Sequence, residues 1–190
     1  MISQKCTKYS DEKLVKLTLS NNDYFFCLMD RYEAKLLRYI HRISNLPYYD
    51  ADDILQDSYI AAFKNLNDFD SSYKFSSWLY RIVHNQTINF LKKHHRHLSI
   101  SLDPDNEEFI GWLDEKNDNI DLPLDQLKPI YKEILVLKFF EEFNYKEIAT
   151  ILHFPIGTVA TLIRRAKLQF KQIYEKSKPK NPWIYQEKKY

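Results

Sequence analysis

The chain has 190 residues, 44% hydrophobic and 28% charged, with a net charge of +2; that length suits one large domain or two small ones. No apolar run approaches the ~18 residues of a membrane helix, and the start, Met1-Ile-Ser-Gln-Lys-Cys-Thr-Lys, lacks the apolar core of a signal peptide. Cys6 and Cys27 are too few for a disulfide framework and show no CxxC spacing, which reads as a reducing cytosol.

Only two glycines occur, Gly111 and Gly157, among long stretches of 3.6-residue period. This predicts an all-α protein. Phe25, Leu28, Met29, Tyr32, Leu36 and Ile40 form the first strong helical stripe, and Leu46-Pro-Tyr-Tyr breaks it. The next helix is predicted over Asp50–Leu66, with Leu55, Tyr59, Ala62 and Leu66 as its buried stripe. Opposite that stripe lie Asp53, Gln56, Asp57 and Ile60, a face of acids beside an exposed isoleucine. It suits protein docking, although Asp50, Asp52 and Asp53 would also favour a helix N-terminus for electrostatic reasons alone. A metal-dependent nuclease can use clustered carboxylates, but no His or further acid follows at a supporting spacing.

A loop over Asn67–Lys74 comes next, then a long helix that Ser76 or Ser77 would cap, running to about Lys93. Arg81, Asn85, Asn89, Lys92 and Arg96 share one stripe of it; Leu79, Val83 and Phe90 share the other. Cations alternating with amides suit phosphates and base edges. The loop, with Ser71, Ser72 and Lys74, offers small polar groups for an unstacked base. Phe75, Trp78 and Tyr80 are candidate stacking rings, with core packing the simpler reading for Phe75 and Trp78. His94, His95 and His97 have no Cys partners and no spacing for a closed tetrahedral site, so no metal and no cofactor is expected.

Charge is unevenly placed. Ser71–Leu102 carries five cations and no acid, Ser99–Asp121 carries eight acids against Lys116, and Pro155–Lys180 carries seven cations against Glu175. Such blocks mark interaction surfaces or linkers. The acidic, proline-containing stretch Ser99–Asp121 reads as a linker between two helical domains.

The segment Asn144–Lys167 reads as a helix-turn-helix. Asn144 caps the first helix and Glu147, three residues on, completes a capping-box-like pair. His153-Phe154-Pro155 breaks it, and Pro155 suits the first turn of the next helix. Val159, Ile163, Ala166, Phe170 and Ile173 form an apolar stripe; Thr158, Thr161, Arg164 and Arg165 fall on the other side. That division suits a helix in the major groove. Arg165 and Lys167 suit phosphate contacts.

Asp50-Ala-Asp-Asp-Ile-Leu-Gln-Asp-Ser-Tyr-Ile-Ala-Ala-Phe, together with Lys74-Phe-Ser-Ser-Trp-Leu-Tyr-Arg-Ile-Val-His-Asn-Gln-Thr-Ile-Asn-Phe-Leu-Lys-Lys, resembles region 2 of extracytoplasmic-function sigma factors. Leu135-Val-Leu-Lys-Phe-Phe, Tyr145-Lys-Glu-Ile-Ala, Pro155-Ile-Gly-Thr-Val and Arg164-Arg-Ala resemble their region 4. The resemblance implies a specificity subunit of bacterial RNA polymerase. Its core-binding helix falls on Asp53, Gln56 and Asp57, with Ile60 beside them, and would dock the polymerase clamp helices. Its −10 reader falls on the loop with Ser71, Ser72 and Lys74 and on Arg81, Asn85, Asn89 and Lys92. Its −35 reader falls on Thr158, Thr161, Arg164 and Arg165, with Lys167 near the backbone. The linker would thread the polymerase's active-site cleft and RNA exit path. An anti-sigma factor is a further implied partner. One departure stands out: after Gly157-Thr-Val159 the family usually has Lys, Ser or Thr, then Arg, whereas this chain has Ala160, Thr161 and Leu162.

The expectation is an all-α protein with two small helical domains: region 2 over 11–98, an acidic linker over 99–121, region 4 over 122–175, and a tail over 176–190. It would be cytoplasmic, bind core polymerase and promoter DNA, take no small-molecule substrate, insert in no membrane and catalyse nothing. The rival is a stand-alone helix-turn-helix repressor or activator, which leaves the Asp53/Gln56/Asp57 face and the Arg81–Lys92 stripe unexplained.

Overall fold

A computed structural model describes residues 6–101 and 123–177, with side chains defined except at 94–101 and 177. Most of the acidic linker, the tail beyond Ser177 and the side chains of His94, His95, Arg96 and His97 lie outside the described residues. All regular structure described is helical: α1 (Asp11–Thr18), α2 (Phe25–Ser44), α3 (Tyr48–Lys64), α4 (Phe75–Ser101), α5 (Pro129–Leu135), α6 (Tyr145–Leu152) and α7 (Ile156–Ser177).

Helices α2, α3 and α4 pack on one another because each presents one apolar stripe. Leu28, Leu36, Tyr39 and Ile40 of α2 meet Leu55, Tyr59 and Ala62 of α3 and Leu79 and Val83 of α4 in the core. Phe25 anchors the start of α2 on α3, its ring 5.1 Å from Phe63 and 6.4 Å from Tyr59. Asn45 ends α2 in the left-handed conformation, φ 55°, and donates its amide N–H to the His41 carbonyl. Asparagine tolerates that conformation better than most residues. Helix α3 starts at Tyr48, earlier than Asp50, and stops at Lys64; Leu66 packs instead from a 3₁₀ turn, Leu66–Asp68.

Helix α4 starts at Phe75 and runs past Lys93 to Ser101. Neither serine caps it as the sequence suggests: Ser76 lies inside the first turn, and the buried Ser77 hydroxyl makes no hydrogen bond. The ring of Phe75 is fully buried, with Phe69 at 5.7 Å, Trp78 at 5.6 Å and Tyr32 at 6.0 Å. Tyr80 is buried too, against Tyr39 at 5.1 Å. Phe75 and Tyr80 are therefore core residues, unavailable to stack on a base in this packing, and Trp78 is half-buried.

The cysteine reading is corrected. Cys6 and Cys27 are bonded, with Cα atoms 5.2 Å apart, and no free cysteine remains among the described residues. Their sequence separation of 21 hides the pair, because α1 returns the N-terminal segment onto the start of α2.

In the C-terminal half, α5 lies against α7 and α6 crosses α4, so both halves share a continuous core. Val136–Phe140 widens into a π-helical turn, which the periodicity does not announce.

Candidate nucleic-acid interface

Asp53, Gln56, Asp57 and Ile60 are all exposed on α3, along the face opposite its buried residues. Gln56 donates to Asp52 over 2.7 Å. Phe63, three residues past Ile60 and 39% exposed, extends the face with a second apolar side chain. Sequence reasoning missed it, although its spacing from Ile60 was visible.

The loop before α4 is an Asx turn: Asp70 accepts the Ser72 N–H on its side chain at 2.9 Å and the Tyr73 N–H on its carbonyl at 3.1 Å. Hydrogen bonds from Ser72 hold the Asp70 carboxyl below its ordinary pKa. Ser71, Ser72, Tyr73 and Lys74 face solvent around this turn. Behind them, α4 sets Asn85, Asn89 and Lys92 outward, while Arg81 is half-buried. Asn85, Asn89 and Lys92 thus share one exposed side of α4, and Tyr73 is an exposed ring of the loop before it.

The helix-turn-helix is built by its caps. Asn144 Oδ1 accepts the Glu147 N–H at 3.0 Å, and Glu147 Oε2 accepts the Asn144 N–H at 2.7 Å. His153 closes α6 in the left-handed conformation, φ 58°, and the Pro155 carbonyl takes the Val159 N–H at 3.1 Å. Val159, Ile163 and Ala166 are buried, so Thr158, Thr161, Arg164, Arg165 and Lys167 are exposed on α7. Thr161 turns its hydroxyl onto the Gly157 carbonyl at 3.0 Å, and Lys167 Nζ lies 5.0 Å from the centre of the Phe139 ring.

A polar seam that sequence reasoning did not foresee joins the two halves of the chain. Glu141, its side chain 7% exposed, accepts from Tyr80 at 2.6 Å and from Arg42 at 3.3 Å. Burial, then the Glu141 charge, pushes the Tyr80 hydroxyl well above its usual pKa. Phe143 packs edge-on against Tyr80 at 4.8 Å. Lys132 bonds Asn45 at 2.8 Å and Asp125 at 2.5 Å. Burial would raise the Asp125 carboxyl, but hydrogen bonds from Lys132 and Asn45 outweigh it and the net shift is downward. Glu133 is buried and pushed up to about 7 by desolvation, and burial lowers His84 to about 4. A cleft of about 560 Å³ opens along the seam, with Lys35, Arg38 and Arg42 on one wall and Glu141 and Glu142 on the other. Among the described residues, no group of three or more His, Cys, Asp or Glu is placed to hold a metal ion.

Comparison with known proteins matches residues 28–97 to sigma-70 region 2 and residues 118–170 to sigma-70 region 4. The chain is 29% identical over 173 residues to the ECF RNA polymerase sigma factor SigW of Bacillus subtilis, covering 82% of this chain and 91% of that one. It is 28% identical over 179 residues to the ECF RNA polymerase sigma-E factor of Salmonella typhimurium, covering 83% and 91%. The fold is similar to that of the sigma factor RpoE of Bartonella quintana, solved with the anti-sigma factor NepR. The TM-score is 0.67 at 21% identity, over 80% of this chain and 96% of that one. It is also similar to CnrH, solved with the cytosolic domain of CnrY, with a TM-score of 0.65 at 22% identity over 88% and 98%.

Proposed function

Since the chain belongs to the extracytoplasmic-function subfamily of sigma-70 factors and directs transcription initiation as they do, we propose how its surfaces divide that work. The exposed face Asp53, Gln56, Asp57 and Ile60, lengthened by Phe63, docks the clamp helices of core RNA polymerase. The Ser71–Lys74 turn captures an unstacked base of the −10 element, and Arg81, Asn85, Asn89 and Lys92 hold the strand. Thr158, Thr161, Arg164 and Arg165 meet the −35 element in the major groove, with Lys167 on its backbone. The boundaries that serve this division are 11–98 for region 2, 99–121 for the linker and 122–175 for region 4.

The observation that carries the reading is the placing of three separate exposed faces on one helical framework: one acidic and apolar, two polar and basic. Each suits a different partner surface. The chain works by binding energy alone, without catalysis, in the cytoplasm beside polymerase. No described helix is long and apolar enough to cross a membrane. An anti-sigma protein is the further partner we infer, from the complex in which the Bartonella fold relative was solved.

The test is capture of core RNA polymerase by the full chain, compared with an Asp53→Ala/Gln56→Ala/Asp57→Ala variant. The wild type should retain core and the variant should lose it. A folded wild-type chain that binds no core, yet grips duplex DNA tightly alone, would overturn the assignment.

A further inference from the structure

The N-terminal segment is held on α2 by two devices that share one face. Cys27 and Arg31 stand one helical turn apart. The Arg31 guanidinium donates to the Cys6 carbonyl at 2.6 Å and the Tyr9 carbonyl at 2.9 Å, and pairs with Asp11. Asp11 also accepts from the Tyr32 hydroxyl at 2.5 Å. Cys6, in the same segment, is bonded to Cys27. These are the two cysteines of the whole sequence. The Arg31 anchor is non-covalent and independent of sulfur chemistry, so it keeps the two thiols adjacent when the bond is open.

The bond has a place to exert leverage. Cys27 follows Phe25 by two residues, and Phe25 is the ring that seats α2 on Phe63 and Tyr59 of α3. Tyr59 in turn donates to the Met29 carbonyl at 3.1 Å. The cysteine pair therefore fastens the end of α2 that supports α3.

We propose that Cys6 and Cys27 form a redox-reversible tether, a dithiol in reducing surroundings and a bond after exchange with a low-molecular-weight disulfide. Cys27 is 1% exposed and Cys6 8%, so Cys6 reacts first when its turn lifts from Arg31. Its thiolate attacks one sulfur of the small disulfide and expels one thiol, leaving a mixed disulfide on Cys6. The Cys27 thiolate then attacks the Cys6 sulfur and expels the second thiol. Two protein thiols are oxidised and one small disulfide is reduced to two thiols. Oxidation closes a loop in the unfolded chain and so favours the docked segment. The tether is independent of the polymerase-docking assignment, because its readouts need only the purified chain.

The full-length chain is equilibrated in glutathione buffers from fully reduced to fully oxidised, acid-quenched, and its thiols tagged with a maleimide and weighed. Both thiols should disappear together in one two-electron step, with no glutathione mass retained. A Cys27→Ser chain should stop at the Cys6 mixed disulfide. In hydrogen exchange, the oxidised wild type should show amides of α1 slowed by on the order of tenfold or more relative to the reduced form. Thiols that stay fully tagged in the most oxidising buffer would overturn the proposal. So would a wild-type chain that accumulates the glutathione adduct, or identical exchange in the two forms.

Discussion

Lys74 Nζ sits 2.7 Å from Glu147 Oε1, so the basic residue of the loop before α4 is paired with the carboxylate that caps α6. The hydrogen bond and the charge of Glu147 both raise the Lys74 pKa. A lysine so engaged must give up this exposed pair before it meets a DNA phosphate. Glu147→Gln should therefore tighten binding of the isolated chain to a −10 single strand, measured by fluorescence anisotropy, while Lys74→Ala should weaken it. The capping box loses its charge in Glu147→Gln but keeps an acceptor, so stability should fall by only about 0.5 kcal/mol. Unchanged strand affinity in both variants would remove Lys74 from the DNA surface.

Glu141 is a buried anchor of the polar seam between the two halves. It satisfies the Tyr80 hydroxyl and the Arg42 guanidinium at once. Glu141→Ala would leave both donors without it in a largely enclosed place. The loss should be about 2 kcal/mol, discounted from the full buried-pair cost because Arg42 remains 32% exposed. Urea unfolding gives the stability, and faster exchange of α6 amides reports the loosened contact with α4. A Glu141→Ala chain as stable as wild type would show that water replaces the carboxylate without cost.

Much of this was legible in the sequence. The stripes Leu28–Leu36–Ile40 and Val159–Ile163–Ala166 announce their buried faces, and Asn144 with Glu147 announces a helix start, because these signals are local. The features that escaped depend on contacts between distant residues. Nothing near Cys6 points to Cys27, since α1 must fold back first. Lys132 and Glu133 are buried charges that composition assigns to the surface. Tyr80 looks like an exposed ring for a base until Phe143 is seen against it, whereas the core packing of Phe75 is the simpler reading of the sequence already. The π-turn at Val136–Phe140 shifts the side-chain register locally, so a 3.6-residue count misplaces the side chains within it.

Two buried titratable groups give the fold opposing pH dependences. Glu133 has its pKa raised from 4.5 to about 7, so its contribution is present below pH 4.5 and lost as pH rises through about 7. His84 is lowered from 6.5 to about 4, so its contribution is present above pH 6.5 and lost as pH falls through about 4. Between these limits the two slopes oppose each other, and wild-type stability should be nearly flat from about pH 5 to 6.5. Glu133→Gln should expose the histidine slope, with stability rising with pH, and gain roughly 3 kcal/mol at pH 8 relative to wild type. His84→Gln should expose the glutamate slope, with stability falling as pH rises. Urea unfolding across about pH 4–8 distinguishes these; parallel curves for all three chains would mean that neither group titrates as its burial dictates.

The exposed face of α7 separates affinity from sequence reading. Arg164 and Arg165 both face solvent, as does Ala160, the first of the two positions at which the region 4 resemblance implies a cation. Leu162, at the second such position, is half-buried against the core, so a cation there would cost packing and Ala160 is the site to restore. Ala160→Lys should strengthen binding to any duplex and steepen the dependence of log K on log salt by about 0.9. An arginine that grips phosphate should, as Ala, weaken all duplexes alike and flatten that slope by about the same amount. An arginine that reads a base should instead cost about 1–3 kcal/mol at one base pair and relax the preference there. Holoenzyme binding to a set of −35 variants at several salt concentrations assigns each residue. If Arg164→Ala and Arg165→Ala leave both affinity and slope unchanged, this face of α7 is not the one that meets DNA.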